Sequence, residues 1–276
     1  MALITKLDGT KKIKLKDVDP SDTGKLTHDD ATKRFANCEA QLQELQMLAY
    51  AAQETPILIV LQGTDTSGKD GTISHVASAM NPAGCRVASF KVPTPLELAH
   101  DFLWRIHAET PAKGMITIFN RSHYEDVIVT RVHKLVPEDV WRKRYDHINN
   151  FERLLTDSGT VTIKFFLHIS SEEQEKRLKD RAKDPTKSWK LSPGDWKERE
   201  LWNEYQAAFE DAINNCATPD APWFVVPANK KWFRDVAIAE AIIDRLQPMR
   251  DRWMKLLKER GAEEMKQLRA MHQDHS

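Results

Sequence analysis

The run Gly63-Thr64-Asp65-Thr66-Ser67-Gly68-Lys69-Asp70 has the spacing G-x-x-x-x-G-K. Glycines at both ends of such a loop let the backbone curl until successive N–H groups converge, and phosphate oxygens suit that point of convergence. A helix starting at Gly68 adds its positive end, and Lys69 adds a mobile point charge. The position after the lysine is commonly Ser or Thr, whose hydroxyl ligates Mg²⁺, but here it is Asp70. A second acid, Asp65, lies inside the loop. Two carboxylates among phosphate-binding amides repel an anionic substrate unless divalent cations neutralise them, so the loop predicts Mg²⁺. Asp70 also has a structural reading, as a helix-start carboxylate favoured by the dipole.

A second constellation is Phe119-Asn120-Arg121-Ser122-His123-Tyr124-Glu125-Asp126. P-loop enzymes place a metal-holding Asp at the end of a strand of this kind. The neutral Asn120 stands there instead, which makes Glu125 the candidate carboxylate. Ser122-x-x-Glu125 is equally a capping box that closes a helix start, and the sequence leaves both readings open. Arg121, at the expected strand tip, is placed to meet phosphate. The third feature is the stretch from Lys176 to Lys190, with seven cations against the two acids Asp180 and Asp184. A run of this sort is either a solvated face or a basic lid whose arginines stabilise a transferring phosphoryl group.

These groups act together only if the fold brings them to one end of a scaffold. Five short apolar runs supply it: Ile57–Leu61, Arg86–Phe90, Met115–Phe119, Val161–Ile169 and Trp223–Val226. Three of them are continuous, as strands buried on both faces are. Helical patterns separate the runs, over Gly68–Met80, Glu97–His107, Ser122–Lys134, Val140–Leu155, Ser171–Lys183 and Asp195–Asn215. Alternating strand and helix predicts a five-stranded parallel sheet with helices on both faces, one α/β body in three layers. Thr27 reads as the N-cap of a further helix that Pro56 ends, and residues 1–26 read as an extended arm. A helical segment over 235–272, broken at Pro248, carries the stripe Trp253, Leu256, Leu257, Met265 and Leu268, read as packing on the core or on another subunit.

Composition narrows the class. The 276 residues carry 41 basic and 41 acidic side chains, which argues against a general nucleic-acid coat. No apolar run approaches a membrane span and residues 1–20 have no signal-peptide pattern. The cysteines Cys38, Cys85 and Cys216 have no C-x-x-C spacing, so neither a disulfide framework nor a zinc site is expected, and the compartment is read as reducing.

At these residues the chain resembles the polyphosphate kinase 2 family. The blocks are GTDTSGKDGTI, NPAGCRVASFKVPT, DFLWRIH, IFNRSHYEDV, DPTKSWKLSPGDW and WFVVPANKKWFRD, in order over roughly residues 30–245. The resemblance implies a thymidylate-kinase-like P-loop fold: an arm over 1–29, a phosphotransferase body over 30–247 with a helical lid near 176–194, and a C-terminal helix over 248–276. It implies Mg²⁺-dependent transfer between inorganic polyphosphate and AMP or ADP in the cytoplasm, with Mn²⁺ as a substitute metal and adenine or guanine as the base. A dimer or tetramer, and no nucleic-acid or membrane partner, go with it. Polyphosphate is implied on Gly63, Thr64, Thr66, Ser67, Gly68, Lys69, Asp70, Gly71 and Arg121, and lid contacts on Arg177, Arg181, Lys187 and Lys190. Metal is implied on Asp65, Asn120 and Glu125, and catalysis on Asp65, Lys69, Arg121 and Arg181. Many members have Asp at the place of Asn120; Asn followed by a Glu-Asp pair resembles the subgroup that phosphorylates both nucleoside mono- and diphosphates. The competing activities are an ATP-dependent nucleoside monophosphate kinase and a non-catalytic nucleotide sensor.

Overall fold

The computed structural model describes residues 3–186 and 193–273. Its sheet is built from β1 (Thr5–Leu7), β2 (Ile57–Gln62), β3 (Cys85–Ser89), β4 (Ile116–Asn120), β5 (Val161–His168) and β6 (Trp223–Pro227), in the order β1-β6-β5-β2-β4-β3. β2 to β6 are mutually parallel where they pair, as their buried apolar character requires. The sheet has six strands rather than the expected five, because the N-terminal arm adds β1 antiparallel to β6, with Thr5 opposite Val225 and Leu7 opposite Trp223. Three residues, of which only Leu7 is buried, are too few to give a period in the sequence.

Around the sheet lie α1 (His28–Ala52), α2 (Lys69–Ser78), the single turns α3 (Pro95–Leu98) and α4 (Trp104–His107), α5 (Glu125–Val132) and α6 (Glu138–Asp157). They are followed by α7 (Ser171–Lys183), α8 (Pro193–Glu200), α9 (Trp202–Cys216), α10 (Lys231–Leu246) and α11 (Arg250–Gln273). Strand alternation divides them. Ile57, Ile59 and Leu61 face a core with Leu42, Leu45 and Ala49 of α1 and Phe233, Val236 and Ile242 of α10. Leu58 and Val60 face the opposite core with Val127 of α5, Ile148 and Phe151 of α6, and Phe209 and Ile213 of α9. The result is the three-layer sandwich.

The local differences have local causes. Thr27 caps α1, its hydroxyl accepting from the Asp30 amide at 3.2 Å. The helix expected over Glu97–His107 is instead the two turns α3 and α4, the first closed by a Thr94–Glu97 capping box. The helix expected over Asp195–Asn215 breaks at Leu201 into α8 and α9. On α11, Trp253 is buried and its indole N–H donates to Thr55 Oγ1 at 3.0 Å, while Met265 and Leu268 are exposed. Among the described residues no helix is long and apolar enough to cross a membrane. The C-terminal ends of β2 and β4 and the start of α7 come together at one edge of the sandwich, where the loops carrying chemistry lie.

Candidate active site

β2, buried along its whole length, runs straight into the P-loop. Two glycines there are required by geometry. Gly68 has φ +107°, and a Cβ on it would lie 2.0 Å from Arg234 Nη1; a Cβ on Gly63 would lie 2.7 Å from Ser67 Oγ. Arg234, 2% exposed, is held by Asp235, whose carboxylate receives Arg234 Nε at 2.8 Å and pairs with His75 Nδ1 at 2.8 Å. The loop is therefore backed by a buried guanidinium. Lys69 donates to the carbonyls of Gly63 at 2.7 Å and Thr64 at 3.1 Å, and burial lowers its pKa. Thr64, Thr66, Ser67 and Thr72 each carry a buried hydroxyl oxygen with no hydrogen-bond partner. Four unanswered hydroxyls round one loop are costly unless a ligand answers them, and an oxyanion accepts from hydroxyls well.

Arg121 leaves β4 with a left-handed φ of +62° and turns back across the loop. Its Nη2 donates to Asp65 Oδ1 at 2.8 Å, and its Nη1 lies 3.5 Å from Glu125 Oε2. Burial opposes its charge, but Glu125 and Asp65 outweigh that and its pKa is raised. Burial in turn pushes Glu125 up, against the pull of Arg121 and Lys69. The Ser122–Glu125 capping box does not form. Ser122 Oγ accepts from Gln62 Nε2 at 3.0 Å and from the Tyr124 amide at 3.2 Å, and α5 starts without a side-chain cap. The Glu125 carboxylate faces the P-loop instead.

Asn120 donates to Asp70 at the start of α2. Arg177, expected at phosphate, is a strut: its five N–H groups go to Glu173 and to the carbonyls of Thr66, Ser67, Ala228 and Asn229. A guanidinium fork suits four converging carbonyls, and it ties the P-loop to the end of β6. Arg181 pairs with Asp195 at 2.9 Å, joining α7 to α8. Lys187 and Lys190 lie outside the described residues.

Asp65, Glu125 and the Asn120 amide are hard oxygen donors from three segments. Among the described residues no group of three or more His, Cys, Asp or Glu side chains comes together as a metal cage. Mg²⁺ is ordinarily held by one or two carboxylates plus substrate phosphates and water, so the donors present fit it. Gly63, Thr64, Asp65, Arg121 and Glu125 form the polar end of a pocket, and Ile128, Val129, Trp202, Tyr205 and Phe209 its apolar end. Arg234 and Asp235 have no role in the motif reading; the signal for them is an Arg-Asp pair set between Phe233 and Val236 near the start of α10. Tyr205, with its hydroxyl on Glu198 at 2.6 Å, gives no such signal.

The family model described as polyphosphate kinase 2 matches residues 25–253. The AMP/ADP-polyphosphate phosphotransferase of Meiothermus ruber is 49% identical over 238 residues, covering 86% of this chain and 89% of that protein. The ADP-polyphosphate phosphotransferase of Rhodopseudomonas palustris is 40% identical over 222 residues, covering 76% and 77%. The crystal structure of polyphosphate kinase 2 from Arthrobacter aurescens superposes with a TM-score of 0.85 at 41% identity, covering 90% of this chain and 88% of that one.

Proposed function

The chain belongs to the polyphosphate kinase 2 family, and from that premise we propose that it transfers the terminal phosphoryl group of inorganic polyphosphate to AMP and ADP, reversibly. The observation that carries the reading is the meeting of Lys69, Arg121, Asp65 and Glu125 around the P-loop. Two cations and two acids there can hold a polyanion and a divalent cation at once.

Polyphosphate lies with its end on the loop amides and on the hydroxyls of Thr64, Thr66 and Ser67. Lys69 and Arg121 meet the charge that spreads over the transferring group. The acceptor phosphate is already ionised at neutral pH, so alignment and charge neutralisation suffice without a deep general base. Asp65, Glu125 and Asn120 would hold Mg²⁺, or Mn²⁺ in its place, and the ion would supply positive charge to the substrate phosphates. Arg181 adds positive charge from the base of the lid. The acceptors are adenine nucleotides, with guanine nucleotides as a further candidate and no order of preference between the bases, in a cytoplasmic homo-oligomer.

The test is one incubation of AMP or ADP with Mg²⁺ and either polyphosphate or ATP as donor, read by nucleotide chromatography. ADP and ATP formed from polyphosphate support the reading. Transfer from ATP alone makes the protein a nucleoside monophosphate kinase, and binding without transfer makes it a sensor.

A further inference from the structure

A lysine in the middle of a central strand is out of place. Lys164 on β5 stands opposite Val60 of β2 and is fully buried. A lone ammonium there would cost several kcal/mol or lose its proton. It is met by three acceptors instead: Glu152 Oε2 of α6 at 2.5 Å, the Cys216 carbonyl at the end of α9 at 2.6 Å, and the Tyr124 hydroxyl at 2.9 Å. The other carboxylate oxygen of Glu152 receives the Tyr124 hydroxyl at 2.7 Å and pairs with His123 Nε2 at 3.1 Å. Burial disfavours the charge on Glu152, but Lys164 and His123 outweigh it and hold its carboxyl below the usual range.

All four side chains are buried, and two of them belong to the loop between Arg121 and Glu125. Arg121 itself sits in left-handed backbone, which a residue with a Cβ adopts only where its surroundings impose it. On one side of the loop Gln62 donates to Ser122; on the other, Lys164 and Glu152 grip His123 and Tyr124. Replacing a buried ion pair with apolar side chains is often neutral for stability, so stability alone is a weak reason for this one.

We infer that Lys164, Glu152, Tyr124 and His123 are positioning residues for the phosphoryl-transfer reaction: they fix the turn that aims the Arg121 guanidinium across the P-loop. This rests on the reading of Arg121 as the cation that meets the transferring phosphoryl group. None of the four touches substrate; each acts through the backbone of residues 121–124.

The experiment compares Tyr124→Phe, the double variant Lys164→Met/Glu152→Leu and Arg121→Ala in the polyphosphate assay, with melting temperatures. Tyr124→Phe removes the bridging hydroxyl and keeps the ring; it is expected to melt within a few degrees of the parent while kcat falls about tenfold and KM for polyphosphate moves less than twofold, the pattern of lost alignment. The double variant, if folded, shows a similar loss. Tyr124→Phe in the Arg121→Ala background costs about twofold or less, because there is no guanidinium left to aim. A folded Tyr124→Phe with parental kcat overturns the inference, and so does a full tenfold loss added on top of Arg121→Ala. If Arg121→Ala itself keeps parental kcat, the reading of Arg121 fails instead.

Discussion

Asn120 Nδ2 donates to Asp70 Oδ1 at 2.9 Å, so the tip of β4 gives an uncharged hydrogen-bond donor to the acid at the start of α2. The amide that replaces a second carboxylate thus satisfies the first. Asn120→Asp puts two carboxylates within hydrogen-bond distance, and like charges so close raise one pKa or recruit a cation. The variant is expected to lose about 1 kcal/mol of stability in chelator. Mg²⁺ should then raise its melting temperature more than it raises that of the parent, and the AMP-to-ADP turnover ratio should shift. Equal Mg²⁺ responses in a thermal-shift titration would remove residue 120 from the metal site.

Glu125 makes no cap, so its removal carries no capping penalty. Glu125→Ala is expected to melt near the parent while the Mg²⁺ concentration for half-maximal rate rises several-fold, since one of two carboxylates is gone. An unchanged Mg²⁺ curve with reduced rate would mean that Glu125 serves only to hold Arg121 through their 3.5 Å pair.

Arg177→Lys tests the strut. A lysine keeps the charge but cannot fork onto Thr66, Ser67, Ala228 and Asn229 together. About 2 kcal/mol of stability should go, at roughly 1 kcal/mol for each unreplaced hydrogen bond after relaxation. The KM for polyphosphate should rise with it as the loop loosens. Parental stability with a raised KM would instead place Arg177 at the phosphate.

The sequence declared the P-loop because its chemistry is local: seven positions fix the turn, the donors and the cation. The buried parallel strands were legible for the same reason, in continuous apolar runs. What escaped it depends on distance in the fold. β1 is recognisable only once Trp223 and Val225 are beside it. That Glu125 forms no capping box with Ser122 turned on Gln62, sixty residues away from Ser122, taking up the serine hydroxyl. Arg177 sits in a basic run whose composition suggests a lid, yet its donors are fixed by carbonyls from two other segments. Charge runs give the sign of a surface, not the partner of each side chain.

His168 predicts a pH response of stability. Its ring nitrogen Nε2 lies 3.2 Å from the Val18 carbonyl of the N-terminal arm, and burial lowers its pKa below the unfolded value of about 6.5. A base whose folded pKa is depressed adds stability above the unfolded pKa and loses it as pH falls through the folded one. His123, also depressed by burial, adds in the same direction. The melting temperature is expected to fall between pH 7 and pH 5, and to fall less in His168→Gln. Parallel curves would show that His168 titrates alike in both states.

Lys69→Met separates binding from transfer most sharply. In the protein the ammonium rests on the Gly63 and Thr64 carbonyls, within the loop's own backbone and not on the core. Removing it therefore costs the fold little, about 1 kcal/mol for the two hydrogen bonds after water reaches the carbonyls. The methionine keeps the length of the stem and fills the buried space. What disappears is the ammonium beside the transferring group, while Arg121 keeps its pair with Asp65. Loss of a preorganised transition-state charge of this kind costs roughly 10³-fold in kcat. Polyphosphate should still bind, through the loop amides and Arg121, with a Kd weakened by no more than about tenfold. Single-turnover rates and equilibrium binding of polyphosphate, measured beside a melting curve, give the three quantities separately. A variant that melts normally, binds normally and still transfers within tenfold of the parent would take Lys69 out of the chemical step.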